Sequence, residues 1–132
     1  MTKPTNVLLI DDDLMVRQAL GQALAVENYH VVPAANRDEA MREIARHSID
    51  IILLELNPRG ENGREILQDL TTLQPYLPVV AMTARPEHHE ANPSAHGVDA
   101  LLEKPLNLSL LLQTLDRVTS QTPKLQSCFR SH

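Results

Sequence analysis

The chain has 132 residues, 42% hydrophobic and 22% charged, which is the composition of a single folded domain with material for one core. Seventeen Asp and Glu against twelve Lys and Arg leave a formal net charge of −5, which argues against a protein that coats nucleic acid through phosphate contacts. One cysteine, Cys128, excludes an internal disulfide framework and a cysteine-built zinc cluster, and no apolar run approaches the roughly 20 residues that cross a bilayer.

Val7–Ile10 is a short continuous apolar run, the pattern of a strand buried on both faces. Asp11-Asp12-Asp13 follows, and then Val16, Leu20, Ala23 and Leu24 recur at helical spacing. His30–Val32 reads as a second strand closed by Pro33. Asn36 and Glu39 have capping-box spacing and open a helix on Ala40, Met41, Ile44 and Ala45. Ile51–Leu54 is the third strand; Asn62 and Glu65 then repeat the capping spacing before a stripe of Ile66, Leu67, Leu70 and Leu73. Val79–Met82 is the fourth strand. The segment Arg85–His96 carries Pro86 and Pro93 with almost no apolar face. Since a proline inside a helix costs about 3 kcal/mol, a short, broken or mobile helix is expected there. Ala100–Leu102 is the fifth strand, and Leu108, Leu111, Leu112, Leu115 and Val118 form the last stripe. The domain is expected to span residues 1–118. Residues 119–132, with Pro123, read as a polar tail too short for a DNA-binding domain.

Five repeats of strand and helix predict an α/β protein, a parallel sheet with right-handed crossovers and helices on both faces. Proline is tolerated in a sheet mainly at an edge, so Pro33 favours the order 2-1-3-4-5, which places the second strand there. The other common order would want a glycine-rich phosphate turn where this chain has Asp11-Asp12-Asp13. The predicted architecture is therefore a flavodoxin-like (βα)5 fold.

In such a sheet the site lies beyond the carboxyl ends of the strands. Asp11 and Asp12 end the first strand, Glu55 to Asn57 the third, Thr83 the fourth and Lys104 the fifth. Two unit charges about 4 Å apart interact by roughly 4 kcal/mol at an effective dielectric near 20, so these acids need a cation. Lys104 or a divalent ion would serve. A magnesium site would draw on Asp12, Asp11 through water, Glu55 and a backbone carbonyl near Asn57. Thr83 and Lys104 would face a phosphoryl group or another anion. The bland reading, in which the acids only cap the first helix and Lys104 is a surface lysine, fails to explain four strand ends at once.

These residues carry a resemblance. Val7–Asp13, Leu53–Gly63, Val79–Ala84 and Gly97–Leu106 resemble the receiver domain of two-component response regulators, and the likeness covers about residues 5–118. Gly60, Asn62 and Gly63 are similar to the usual turn after the phosphoacceptor strand. The sequence departs from the family in four places. Glu55 stands where the family has the Asp that takes phosphate from a histidine kinase. Its extra methylene displaces the carboxylate by about an ångström, and a misplacement of about 1 Å costs on the order of a hundredfold in an in-line reaction. Arg59 stands in place of the usual proline, with Pro58 one residue early. Leu101 occupies the aromatic switch position. Pro86 and Pro93 interrupt the usual fourth helix.

The expected function is therefore two-component signalling by an atypical receiver, not an enzyme, that acts as a phosphorylation-independent protein-interaction module. The second reading is a working receiver modified at Glu55 or a neighbouring Asp with Mg2+. A magnesium-dependent hydrolase is disfavoured, since none of the six histidines falls at a strand end of the cluster. Weak or no magnesium binding is expected, because Glu55 is long enough to reach Lys104. Partners implied by the resemblance are a histidine kinase or a downstream effector. A homodimer would use the face of the fourth helix, fifth strand and fifth helix, which Pro86, Pro93 and Leu101 alter. No nucleic acid and no membrane are expected, and the expected compartment is the cytoplasm. His88, His89 and His96 read as solvated loop histidines.

Overall fold

The structure is a computed structural model that describes residues 3–56, 63–84 and 97–130, with side chains up to residue 120. Five strands, β1 (Thr5–Ile10), β2 (Tyr29–Ala34), β3 (Ile51–Glu55), β4 (Val79–Thr83) and β5 (Ala100–Glu103), form one parallel sheet in the order β2-β1-β3-β4-β5. The described helices are α1 (Leu14–Val26), α2 (Arg37–Arg46), α3 (Gly63–Leu73) and α4 (Leu108–Arg130). The broken helix expected over residues 85–96 lies outside the described residues, as do Asn57, Arg59, Gly60 and Asn62.

The central strands β1, β3 and β4 are buried on both faces because their side chains alternate between two cores. Leu8, Ile10, Ile52, Leu54, Val79 and Ala81 pack with Ala40, Ile44, Ile66 and Leu70 of α2 and α3. Val7, Leu9, Ile51, Leu53, Val80 and Met82 pack with Leu24 of α1 and Leu111, Leu115 and Val118 of α4. This alternation decides which strand-end residues can meet, as described below.

β2 is the edge strand that Pro33 predicts. The Asn28 carbonyl accepts from Thr5 N and the Ala34 carbonyl from Asp11 N. By alternation the even residues of β2 face β1 and the odd ones face outward. Pro33 thus lacks an N–H only where that group would have met solvent, which also blunts the exposed edge.

The helix starts follow from short polar side chains. Asp13 accepts from the Met15 and Val16 N–H groups and caps α1. Asn36 accepts from Glu39 N at 2.9 Å, as the capping box predicts, but Glu39 reaches back to Ala35 N at 2.7 Å, one residue earlier than the motif's usual target. Asn107 accepts from Leu110 N at 3.0 Å and caps α4.

One expectation needs correction. The apolar stripes are narrower than their sequence spacing suggests: Leu73 and Leu108 are exposed at stripe ends, as is Ala45, and α1 buries only Leu24 completely. The helical backbone of α4 runs on past Val118 to Arg130.

Candidate functional site

The site begins with register. Ile10 pairs with Leu54 in the parallel β1–β3 ladder, so the next residue on each strand is an acid: Asp11 beside Glu55. Adjacent strands lie about 4.8 Å apart. Asp11 continues the parity of Val7 and Leu9, and Glu55 that of Ile51 and Leu53, so both belong to the α1/α4 side of the sheet. Both are buried, Asp11 at 1% exposure and Glu55 at 5%.

Two buried carboxylates side by side are unfavourable unless a cation joins them. Lys104 does so from just beyond the end of β5, where Ala100 and Leu102 give it the same parity. Its Nζ donates to Asp11 Oδ2 at 2.8 Å and lies 3.3 Å from Glu55 Oε2, with the side chain 21% exposed. The expected reach of Glu55 to Lys104 is thus present. Burial on its own lowers the pKa of the Lys104 ammonium. The hydrogen bond and charge of Asp11, with the charge of Glu55, outweigh burial and hold it above 10.5, the ordinary lysine value.

The three consecutive acids have separate tasks. Asp11 is paired with Lys104, and its Oδ1 also accepts the Asp13 N–H at 2.9 Å. Asp13 caps α1. Asp12 stands half-buried between them on the rim.

Thr83 is completely buried at the end of β4. Its carbonyl accepts the Lys104 N–H at 2.8 Å and so positions the lysine. Leu101, at the switch position, is half-buried and packs against the α2/α3 core.

Two residues contribute beyond the sequence-based set of site side chains. Arg17, one turn into α1, donates from Nη1 to the Asp11 carbonyl at 2.7 Å. A polar residue at the edge of an apolar stripe gave no signal of this. Gly63 starts α3 directly over the end of β3. A Cβ there would collide with the Leu56 carbonyl oxygen and come within 2.7 Å of the Glu55 carbonyl oxygen. The glycine therefore sets how closely α3 covers the strand end that carries Glu55.

Of the magnesium shell drawn from sequence, Asp11 and Glu55 are engaged by protein groups, and Asn57 lies outside the described residues. Each Asp11 carboxylate oxygen already accepts from a protein donor, and Glu55 is paired with the same lysine. Among the described residues, no three His, Cys, Asp or Glu side chains are gathered so as to hold a metal ion. Chemically the rim holds one ammonium between two carboxylates.

Comparison with known proteins agrees with this fold. Residues 7–116 match the response regulator receiver domain. The chain is 31% identical over 125 residues to the transcriptional regulatory protein GlrR of Escherichia coli strain K12, covering 91% of this chain and 27% of that protein. Its structure is similar to that of the chemotaxis protein CheY4 of Vibrio cholerae, at 28% identity and a TM-score of 0.78, over 87% of this chain and 98% of that one. In fold it is also similar to a CheY-like receiver domain protein from Methanospirillum hungatei JF-1, at 24% identity and a TM-score of 0.83, over 92% and 98% of the two chains. The chain spans between 24% and 52% of the length of the curated relatives it matches. No helix among the described residues is long and apolar enough to cross a membrane.

Proposed function

The chain belongs to the response regulator receiver family of two-component signalling, and from that premise we propose that it is an atypical member whose output does not depend on phosphorylation. The observation that carries this reading is the Glu55 carboxylate, buried and 3.3 Å from the lysine that would otherwise face an incoming phosphoryl group. A permanent negative charge is already in place on the strand where a regulated one would be added. The carboxylate carries one charge, whereas a phosphoryl group carries about −1.5 to −2, so the rim is held in one electrostatic state without copying the modified one in full. With Leu101 at the switch position, no aromatic ring reports on the rim through β5. What remains is a binding surface for a protein partner, a sensor kinase or an effector, presented in a constant conformation.

Incubation of the full chain with a small acyl-phosphate donor and Mg2+, read by intact mass, tests this. No stable adduct is expected on the natural sequence, and Glu55→Asp is expected to acquire one. An adduct on the unaltered chain, mapped to Glu55 or to the Asp11–Asp13 segment, would establish the working receiver instead.

A further inference from the structure

We propose that the open edge of β2, with the groove beside it on α1, docks an extended peptide of a partner protein, which adds to the sheet as a further strand. The inference rests on the reading of the chain as a module that binds a protein partner, and deepens it by naming the surface and the conformation of what binds there.

The backbone sets the class of partner. Among the described residues β2 pairs only with β1. The Asn28 and Ala34 carbonyls accept from β1, so the even positions of β2 give their backbone groups to the sheet. The odd positions turn theirs the other way: the N–H and C=O of Tyr29 and Val31, and the C=O of Pro33. Pro33 withholds one donor and leaves Tyr29 and Val31 complete. A chain in extended conformation matches such a row; strand addition takes its affinity from these bonds and its specificity from pockets for alternate side chains. β2 also carries no Asp, Glu, Lys or Arg, the charges that commonly guard an exposed edge against a new strand.

The groove supplies the pockets. It holds about 750 Å3, opens to solvent, and is lined by Leu14, Gly21 and Ala25 of α1 and Tyr29, Val31 and Pro33 of β2. Tyr29 and Val31 pack on the α1 side of the sheet, with Val7 and Leu9. A strand paired beside them continues the pleat and sends every second side chain to that side, into the groove. Gly21 is the second observation. A glycine in a helix interior is destabilising relative to alanine, and the packing of α1 does not require one here: a Cβ on Gly21 would meet nothing within 4 Å. What the missing side chain leaves is width in the groove.

The test is selection of a displayed library of random peptides of about ten residues on the full chain, then amide hydrogen exchange of the chain with a selected peptide bound. Enriched sequences are expected to carry apolar residues at every second position, and the Tyr29 and Val31 amides are expected to become protected. Val31→Pro removes an outward donor that the β1 ladder does not use, as Pro33 already does on the same edge, and is expected to weaken peptide binding at least about tenfold. Gly21→Leu fills the groove without meeting the rest of the fold and is expected to weaken binding likewise; it decides the matter if Val31→Pro does not fold. No enrichment over a bare surface, a peptide held as tightly by Gly21→Leu as by the natural chain, or a bound peptide that leaves the Tyr29 and Val31 amides unprotected would overturn the proposal. Acyl-phosphate treatment of the natural chain separates the two ideas. An adduct defeats the phosphorylation-independent reading and leaves the edge site standing, whereas failure of the selection defeats only the edge site.

Discussion

At the amino-terminal end of the sheet, Asp50 Oδ2 accepts the Asn6 N–H and Asp99 Oδ2 accepts the Val79 N–H, each at 2.8 Å. At the carboxyl-terminal end, Asp11 and Glu55 share the Lys104 ammonium. The same residue types therefore do unlike work at the two ends. The lower acids complete the hydrogen bonding of backbone donors where strands begin, and any carbonyl-type oxygen would serve them. The upper acids are buried with a charged partner, so each depends on the charge of the others. One end is built for connection and tolerates neutralisation; the other is an electrostatic unit that fails as a whole.

The sharpest way to break that contrast is Lys104→Met. It leaves Asp11 and Glu55 buried without their cation, and the expected loss of stability is about 3 kcal/mol, at the low end for a broken buried pair because the lysine is partly exposed. Urea unfolding measures it. Adding Glu55→Gln to Lys104→Met is expected to recover part of the loss, since one buried charge is then removed. Gly63→Ala comes next, at about 2 kcal/mol, because its Cβ meets the Leu56 and Glu55 carbonyl oxygens and α3 must lift from the strand end. A lowered Tm together with amide shifts at Glu55 checks it.

The pH dependence sharpens the comparison further. The folded pKa of Lys104 is raised, so its stabilising contribution is complete below the unfolded value of 10.5 and is lost as pH rises through the higher folded value. Stability of the natural chain is expected to fall in that alkaline window more steeply than stability of Lys104→Met, and denaturant midpoints measured across it show the difference. The smallest effect is expected at the other end of the sheet. Asp99→Asn keeps an oxygen acceptor for Val79 N–H and should cost about 1 kcal/mol or less, measured by the same unfolding assay. A loss as large as that of Lys104→Met would erase the distinction between the two ends.

Much of the fold was legible because its signals are local. The five apolar runs mark the strands, Asp11 to Asp13 sit where a phosphate-binding glycine turn would be, and Pro33 identifies the edge. The continuation of α4 past Val118 was not legible, since its apolar stripe ends there. At the site, Asp11, Glu55, Thr83 and Lys104 were readable as strand-end residues, but which of them pair was not. Arg17 was invisible, because an arginine on a half-buried helix face looks the same whether it points to water or to a carbonyl.

What the sequence determined alone was the inventory: which residue types stand at which strand ends, and that a glutamate occupies the acceptor position. Only the tertiary structure decided how they are matched. A side chain's partner depends on register, parity and the approach of strands far apart in the chain, as Lys104 and Asp11 are, and none of these is set by the neighbours in sequence.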